Sequence, residues 1–250
     1  MWVQLVDRSL RFAVVLVDHT GGQITVQRSD VPEPESEMTA GGDTYHVHKV
    51  PVGGWSSLRI QHETEQVWKR NADAVLAETE RVVEQGIRLV LVAGDPASTG
   101  QVLDGLRKSP ATVVHLGAGG GRADDGGEDA RRQAIRDALM EYVVSRRLEL
   151  VHQLKDRLGQ GVGAVTGVRD VADAFVTGQV ETLMLDPAAA AGFELLVGDH
   201  PGLDLGAVGN QPLRADQALL AAAARTDSAV TVLPAAALGG APTAAVLRWG

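Results

Sequence analysis

The chain contains no cysteine, so neither a disulfide bond nor a metal site built on thiolates is available to it. The absence of cysteine fits a reducing compartment. No apolar run approaches the ~20 residues that a transmembrane helix needs. Residues 1–12 (MWVQLVDRSLRF) also lack the basic start and the apolar stretch of a signal peptide. We therefore expect a soluble, cytoplasmic protein with no membrane partner.

Positive charge is also scarce. The chain carries 23 lysine and arginine residues against 32 aspartate and glutamate residues, a formal net charge of −9. Both halves of the chain share this excess of acid. Proteins that bind nucleic acid unaided usually present a basic surface. The composition therefore predicts that any contact with RNA is local or is made with the help of a partner.

The remaining composition is that of a globular protein, with 44% hydrophobic and 22% charged residues. Strand-like and helix-like patterns alternate, which predicts a mixed α/β fold. We expect two domains, residues 1–140 and 141–250, that meet within a long charged helix. The predicted strands are 12–17, 24–26, 45–50, 87–93, 111–116, 162–166, 180–185, 229–233 and 243–249, and the predicted helices are 56–86, 96–108, 128–158, 168–177 and 216–225.

The first predicted feature is a β-hairpin. The valine-rich run 12–17 and the alternating run 24–26 flank Gly21 and Gly22. Glycine supplies the positive φ that tight turns need, so we expect the two glycines to form the turn and Gln23 to begin the return strand. The following segment 29–43 (SDVPEPESEMTAGGD) is acidic, contains proline and has no basic residue. It is predicted to be an exposed loop.

Another Gly-Gly pair, at residues 53 and 54, precedes the longest uninterrupted helical pattern. Residues 53–60 read GGWSSLRI, and neither proline nor glycine occurs from there until Gly86. Ser56 or Ser57 can cap the helix start. The result is an amphipathic helix of roughly 45 Å, in which the apolar residues at three- or four-residue spacing are Leu58, Val67, Trp68, Ala72, Val75, Leu76, Val82 and Val83.

This arrangement resembles the middle domain of the archaeo-eukaryotic release factor superfamily, where Gly-Gly-Gln is followed by Ser-Ala-Leu-Arg-Phe and a long helix. Residues 165–185 (VTGVRDVADAFVTGQVETLML) and 244–249 (AAVLRW) are similar to parts of the third domain of that family. The pattern is also similar to the bacterial branch with a degenerate tripeptide, the Balon-like ribosome hibernation factors. The resemblance implies that residues 1–140 are middle-domain-like. It also implies that residues 141–250 have the α/β/α fold of ribosomal proteins that bind kink-turn RNA.

Within this resemblance the family tripeptide corresponds to Gly53-Gly54-Trp55 and not to Gly21-Gly22-Gln23. In release factors the glutamine helps to place water against the ester in the peptidyl-transferase centre. Placing a water requires hydrogen-bonding groups within about 3 Å of its path, whereas tryptophan offers one N–H donor and no acceptor. We therefore expect no peptidyl-tRNA hydrolysis and assign no catalytic residue. Trp55 either stacks on an unpaired RNA base, worth ~1–3 kcal/mol, or folds back over the helix start.

The predicted nucleic-acid contacts surround this tripeptide. Arg59 is either a phosphate contact or a solvated helix residue. His62, Lys69 and Arg70 are each interpreted as solvated surface in preference to RNA contact, because acidic residues interrupt any basic stripe. The candidate set is Gly53, Gly54, Trp55, Ser56, Ser57, Arg59 and His62.

The resemblance implies a ribosome-binding factor, a hibernation or stress factor that occupies the A site. Residues 1–140 would approach ribosomal RNA near the peptidyl-transferase centre, and residues 141–250 would dock the elongation factor EF-Tu or another translational GTPase. Two alternatives are a rescue factor that hydrolyses peptidyl-tRNA with another water-positioning group, and a stress protein that has left the ribosome. Family members usually carry an additional N-terminal decoding domain. Either this form lacks that domain or the chain is a fragment.

No cofactor is expected. The glycine-rich segment that begins at Gly117 has Arg122 where a dinucleotide loop needs its third glycine, and aspartates follow. A flexible loop is the better interpretation. His46 and His48 share one strand face, but no third metal ligand has suitable spacing.

Overall fold

The computed structural model describes residues 9–42, 56–117, 127–206 and 211–249, and over residues 56–64 it describes the backbone alone. The chain divides into two compact units between Tyr142 and Val143. The N-terminal unit extends from Ser9 to Tyr142, and the C-terminal unit contains the residues from Val143 onward. The assignment of residues 1–140 and 141–250 to two release-factor domains remains a prediction.

The N-terminal unit is built on a five-stranded mixed sheet of order β3-β2-β1-β4-β5. The β1–β2 and β2–β3 pairs are antiparallel, and the β1–β4 and β4–β5 pairs are parallel. The strands are β1 (Arg11–Asp18), β2 (Gly21–Arg28), β3 (Ser36–Gly41), β4 (Leu89–Gly94) and β5 (Thr112–His115).

Helices cover both faces of this sheet. On one face the sheet packs against α1 (Ser56–Glu84) and α2 (Pro96–Gly105), and on the other against the first part of α3 (Glu128–Gln160). Alternate residues of β1 therefore enter different cores, with Val15 in the α1 and α2 core and Val14 in the α3 core. A strand that is buried on both faces shows a continuous apolar run, which explains the valine-rich sequence of β1.

The predicted hairpin is confirmed, but its turn is not formed by glycine. Asp18 pairs with Gly21 in the antiparallel register, so the two turn residues are His19 and Thr20. The Asp18 carboxylate stabilises the turn, because its Oδ1 accepts hydrogen bonds from Thr20 N at 2.7 Å and from Thr20 Oγ1 at 2.5 Å. Gly21, Gly22 and Gln23 lie within β2, where they pair with both β1 and β3.

The acidic segment 29–43 is only partly a loop. Residues Ser36–Gly41 form β3 and pair with β2 over Gly21–Val26. Met38 and Ala40 pack against the core formed with α1, while the alternate residues Glu37 and Thr39 are exposed. The prediction of a continuous loop was wrong because the composition concealed this two-residue alternation.

The C-terminal unit contains a four-stranded sheet of order β10-β7-β11-β6 and a separate two-stranded sheet of β8 and β9. In the larger sheet only the β10–β7 pair is parallel. Its elements after α3 are β6 (Ala164–Thr166), α4 (Val168–Val176), β7 (Val180–Leu185), α5 (Pro187–Ala190), β8 (Glu194–Leu196), β9 (Pro212–Arg214), α6 (Ala215–Arg225), β10 (Ala229–Val232) and β11 (Thr243–Leu247).

The larger sheet also lies between two helical layers. On one face Leu183 and Ala245 contact α4 and α6, whose buried residues include Phe175 and Leu219. On the other face Met184, Ala244 and Val246 share a core with Leu154 of α3. The order of layers is therefore helix, sheet, helix.

These layers confirm the predicted mixed α/β fold. The helix predicted to begin at Ser56 is observed as α1, and β7 has the predicted bounds. The short elements α5, β8 and β9 were not predicted, although Asp186 followed by Pro187 is a typical helix start. The predicted strand 45–50 lies outside the described residues. Across the described parts of the chain, no helix is both long and apolar enough to span a membrane.

Candidate nucleic-acid interface

The predicted site residues lie at the start of α1. Ser56 is the first residue of this helix, so the tripeptide Gly53-Gly54-Trp55 immediately precedes it in the chain. The tripeptide itself lies outside the described residues. Ser56, Ser57, Arg59 and His62 all belong to the first two turns of α1, where the structure describes the backbone.

From Val67 onward α1 is fixed to the sheet by its apolar side. Val67, Ala72, Val75, Val82 and Val83 are buried, and the last three share a core with β1 and β2. Val67 follows Ser56 by eleven residues, which corresponds to about 16 Å along the helix axis. The described packing of this helix therefore begins about three turns beyond its start.

A polar contact fixes α1 to the β1–β2 turn. Asn71 is 1% exposed, and its Nδ2 donates a hydrogen bond of 3.0 Å to the carbonyl oxygen of His19. The imidazole of His19 and the indole of Trp68 also make contact, with ring centroids 5.6 Å apart and planes inclined by 58°. Two residues of α1 therefore hold one turn of the sheet.

Glycine allows α1 to approach the strands closely. A Cβ atom on Gly22 would lie 2.8 Å from Leu16 O and 2.8 Å from Val75 Cγ2. A Cβ atom on Gly41 of β3 would lie 3.2 Å from Asn71 Oδ1. Side chains at these two positions would displace the helix, because protein interiors have little room for additional atoms.

Sequence reasoning did not identify His19, Trp68 or Asn71 as one cluster. It placed Trp68 on the buried side of the helix, but this side chain is 41% exposed. Consecutive residues of a helix point in directions about 100° apart, so Val67 and Trp68 do not both face the centre of the core. That spacing was the available signal; the contact with His19 depends on the tertiary fold.

The charge on the described part of α1 does not favour the binding of nucleic acid. From Glu65 to Glu84 its basic residues are Lys69, Arg70 and Arg81, and its acidic residues are Glu65, Asp73, Glu78, Glu80 and Glu84. Lys69 and Arg70 are exposed, in agreement with their interpretation as solvated surface. The charge of this surface therefore gives no support to the predicted contact with RNA.

Carboxylates with a lowered pKa lie elsewhere in the molecule. Hydrogen bonds from arginine side chains lower the pKa of Asp30 and of Asp204, and hydrogen bonds from backbone amides lower the pKa of Asp186. The hydrogen bonds that lower these pKa values stabilise turns and a helix start. Within the described ranges, no group of three or more histidine, aspartate or glutamate residues is arranged to hold a metal ion. His46 and His48 lie outside those ranges.

The family model for bacterial archaeo-eukaryotic release factor family 2 matches residues 11–160. The matched segment begins with β1 and ends with the last residue of α3. Because it covers more than half of the chain, the protein belongs to this family. No curated protein matches the sequence significantly.

Solved structures of related factors have a similar fold. Archaeal Pelota, in a model of its ribosome-bound form with ABCE1, aligns with 95% of this chain and 61% of its own length, at 17% identity and a TM-score of 0.53. S. cerevisiae Dom34, a translation termination-like factor that interacts with Hbs1, aligns with 98% of this chain and 65% of its own length, at 10% identity and a TM-score of 0.51. Archaeoglobus fulgidus Pelota aligns with 99% of this chain and 67% of its own length, at 14% identity and a TM-score of 0.40. The two structures with TM-scores above 0.5, ribosome-bound archaeal Pelota and Dom34, show that this chain has a release-factor-like fold. At identities of 17% and 10% they show the fold alone.

Proposed function

We propose that this protein binds the ribosome as a hibernation or stress factor, occupying the A site without hydrolysing peptidyl-tRNA. One observation carries the proposal: Trp55 directly precedes α1 in the chain, at the position that the resemblance aligns with the glutamine of the family tripeptide. Family membership supports a role in translation, and the substitution separates this chain from the members that release peptides.

The chemical reason lies in the side chain. Hydrolysis needs a group that can hold water close to the ester carbon, and preorganised donors and acceptors provide this in active sites. An indole has a single N–H donor and a large apolar surface. At the tip of a loop that approaches ribosomal RNA, such a surface suits stacking on an unpaired base. We therefore assign Gly53, Gly54 and Trp55 to RNA contact, with Ser56, Ser57, Arg59 and His62 beside them.

The partner proposed for residues 141–250 is a translational GTPase such as EF-Tu. Dom34 interacts with Hbs1, and archaeal Pelota is found on the ribosome together with ABCE1. A GTPase that binds the same ribosome would help a chain of net charge −9 to overcome its repulsion from RNA. We propose residues 1–140 as a release-factor middle domain and residues 141–250 as the docking domain.

Two measurements on the full chain test this function. Vacant ribosomes, with and without EF-Tu, should carry the protein into the pellet during sedimentation through a sucrose cushion. Stalled ribosome complexes that hold labelled peptidyl-tRNA should release no peptide above background when the protein is added. A genuine release factor serves as the positive control.

The variant Trp55→Gln is the sharpest comparison, because it restores the family tripeptide in an otherwise unchanged chain. We expect this variant to release more peptide than the natural sequence. Robust release by the natural sequence, lost in Trp55→Ala, would identify a rescue enzyme and overturn the proposal. Failure to sediment with ribosomes under any condition would place the protein away from the ribosome.

A further inference from the structure

A cleft of about 490 Å³ lies between the middle of α1 and the start of α2, within the N-terminal unit. Its lining includes Glu65, Gln66, Trp68 and Lys69 from α1, and Ser98 and Gln101 from α2. None of these residues belongs to the set of RNA contacts predicted around Gly53, Gly54 and Trp55. Trp68 follows Ser56 by twelve residues, which is about 18 Å along the helix.

The aromatic wall of the cleft is accessible. Trp68 keeps 41% of its surface exposed even though it touches His19. Their ring planes are inclined by 58°, and a tilted ring covers less of an indole face than a parallel ring would. A large aromatic surface left in water at the edge of a cleft is typical of a binding site.

The polar groups of the cleft suit an uncharged, flat ligand. Gln66 and Gln101 stand on opposite walls and are both exposed. Each carries an amide with donor and acceptor atoms, and nucleobase edges present the same mixture of donors and acceptors. Among the described residues of the lining, the charged side chains are Glu65 and Lys69. A cleft with one acid and one base offers little net attraction to phosphate, so recognition depends on the base.

We infer that this cleft binds an unpaired nucleobase of RNA, stacked on Trp68 of α1 and hydrogen-bonded by Gln101 of α2. This inference rests on the proposed function and adds to it a second RNA contact on α1, distinct from the Gly53-Gly54-Trp55 loop. Stacking tolerates any base because every base has an aromatic face. The amide of Gln101 adds a preference for bases that are free of pairing.

Binding of a fluorescent, unstructured oligo(A) RNA to the full chain, measured by anisotropy, tests the cleft directly. Trp68→Ala should weaken binding about tenfold, as expected for one lost stack, while Trp68→Phe should keep most of the affinity. Gln101→Ala changes an exposed side chain on the other wall and should weaken binding by a smaller factor. The melting temperature of each variant shows whether it has folded.

Trp249→Ala is the matched control, because Trp249 is 54% exposed and lies in the C-terminal unit. Its affinity for the RNA should equal that of the natural sequence. Equal weakening by Trp249→Ala, or unchanged binding by folded Trp68→Ala and Gln101→Ala, would overturn the inference. Adenosine monophosphate provides the second arm, since binding of the free nucleotide as tightly as the RNA would make the cleft a nucleotide site and overturn the RNA assignment.

Sedimentation with vacant ribosomes separates this inference from the proposed function. If the natural protein sediments and folded Trp68→Ala sediments equally well, the cleft inference fails and the proposed function stands. If the natural protein does not sediment, the proposed function fails, and the oligo(A) measurement still decides whether the cleft binds RNA. If Trp68→Ala no longer sediments with ribosomes while Trp249→Ala sediments like the natural protein, the result supports both the proposed function and the cleft inference.

Discussion

Two of the Gly-Gly pairs of this chain, Gly21-Gly22 and Gly53-Gly54, have the same chemistry and different surroundings. Gly21-Gly22-Gln23 spells the release-factor tripeptide but lies within a paired strand. Gly53-Gly54-Trp55 lacks the glutamine but directly precedes α1, and we propose that it corresponds to the family tripeptide. The comparison teaches that a short motif gains its meaning from the element that follows it. A strand follows the first pair, and a long helix follows the second.

In both pairs the useful property of glycine is its missing Cβ atom. At Gly21 and Gly22 that space is taken by the protein itself, by Ala40 O on one side and by Val75 on the other. At Gly53 and Gly54 we propose that ribosomal RNA takes it. Substitutions in the first pair should therefore affect folding, and substitutions around the second should affect binding.

The largest expected effect is that of Gly21→Ala on stability. Gly21 has a φ of +133°, and an added Cβ atom would lie 2.4 Å from Ala40 O. Backbone strain and overpacking together should lower the free energy of unfolding by about 3 kcal/mol, measured by urea denaturation. Gly42→Ala is the matched control, because Gly42 has a φ of +112° with nothing within 4 Å of the added atom. Equal losses in the two variants would show that the close contact with Ala40 contributes nothing.

The next effect is that of Trp55→Ala on ribosome binding. Loss of one base stack, ~1–3 kcal/mol, should weaken binding about tenfold, measured by sedimentation over a range of protein concentrations. The melting temperature should stay the same, since the proposed contact is with RNA. A lower melting temperature with intact binding would mean that Trp55 packs against the protein, and the contrast between the two pairs would disappear.

A smaller effect is expected from Arg59→Ala. One lost phosphate contact should reduce affinity for the ribosome and lower the slope of log affinity against log salt concentration by about 1. Lys108→Ala removes an exposed cation that lies near the opposite, C-terminal end of α1 and serves as the control. If both variants keep the slope of the natural protein, Arg59 is a solvated helix residue.

The smallest effect is expected from Gln23→Ala. In release factors the corresponding residue type is essential to the tripeptide, but here Gln23 donates a hydrogen bond to Glu37 on the neighbouring strand β3. Stability should change by no more than about 0.5 kcal/mol, and ribosome binding should not change. A large loss of binding would show that Gly21-Gly22-Gln23 is the functional tripeptide after all.

The sequence predicts those elements whose patterns are long or strongly apolar. The helix α1 and the strand β7 follow from periodicity and from the glycines that bound them. The hairpin turn could not be placed correctly, because the reason for Gly22 is the side chain of Val75 on a helix far along the chain. The strands β8 and β9 have three residues each, too few for a recognisable alternation.

The candidate site was predicted in the same uneven way. The placement of its tripeptide before α1 rests on the family pattern and the helix start, which are local in sequence, and it stays a prediction because residues 53–55 lie outside the described residues. The contact between His19 and Trp68 joins a strand turn to a helix, and no local pattern indicates it. The cleft beside Trp68 depends on that contact and on the approach of α2, so it becomes visible only in the folded chain.

The order of strands in the C-terminal sheet has a consequence for biosynthesis. β11 is the last described strand in the chain, yet it lies inside the sheet, between β7 and β6. During translation the strands of the N-terminal unit emerge first and can assemble early, since domains generally fold as units during synthesis. The C-terminal sheet has a gap at its centre until residue 247 has left the ribosomal exit tunnel. A premature stop that removes only β11 would therefore leave β6 without its sheet partner and expose the apolar surfaces of α3 and α4 to aggregation.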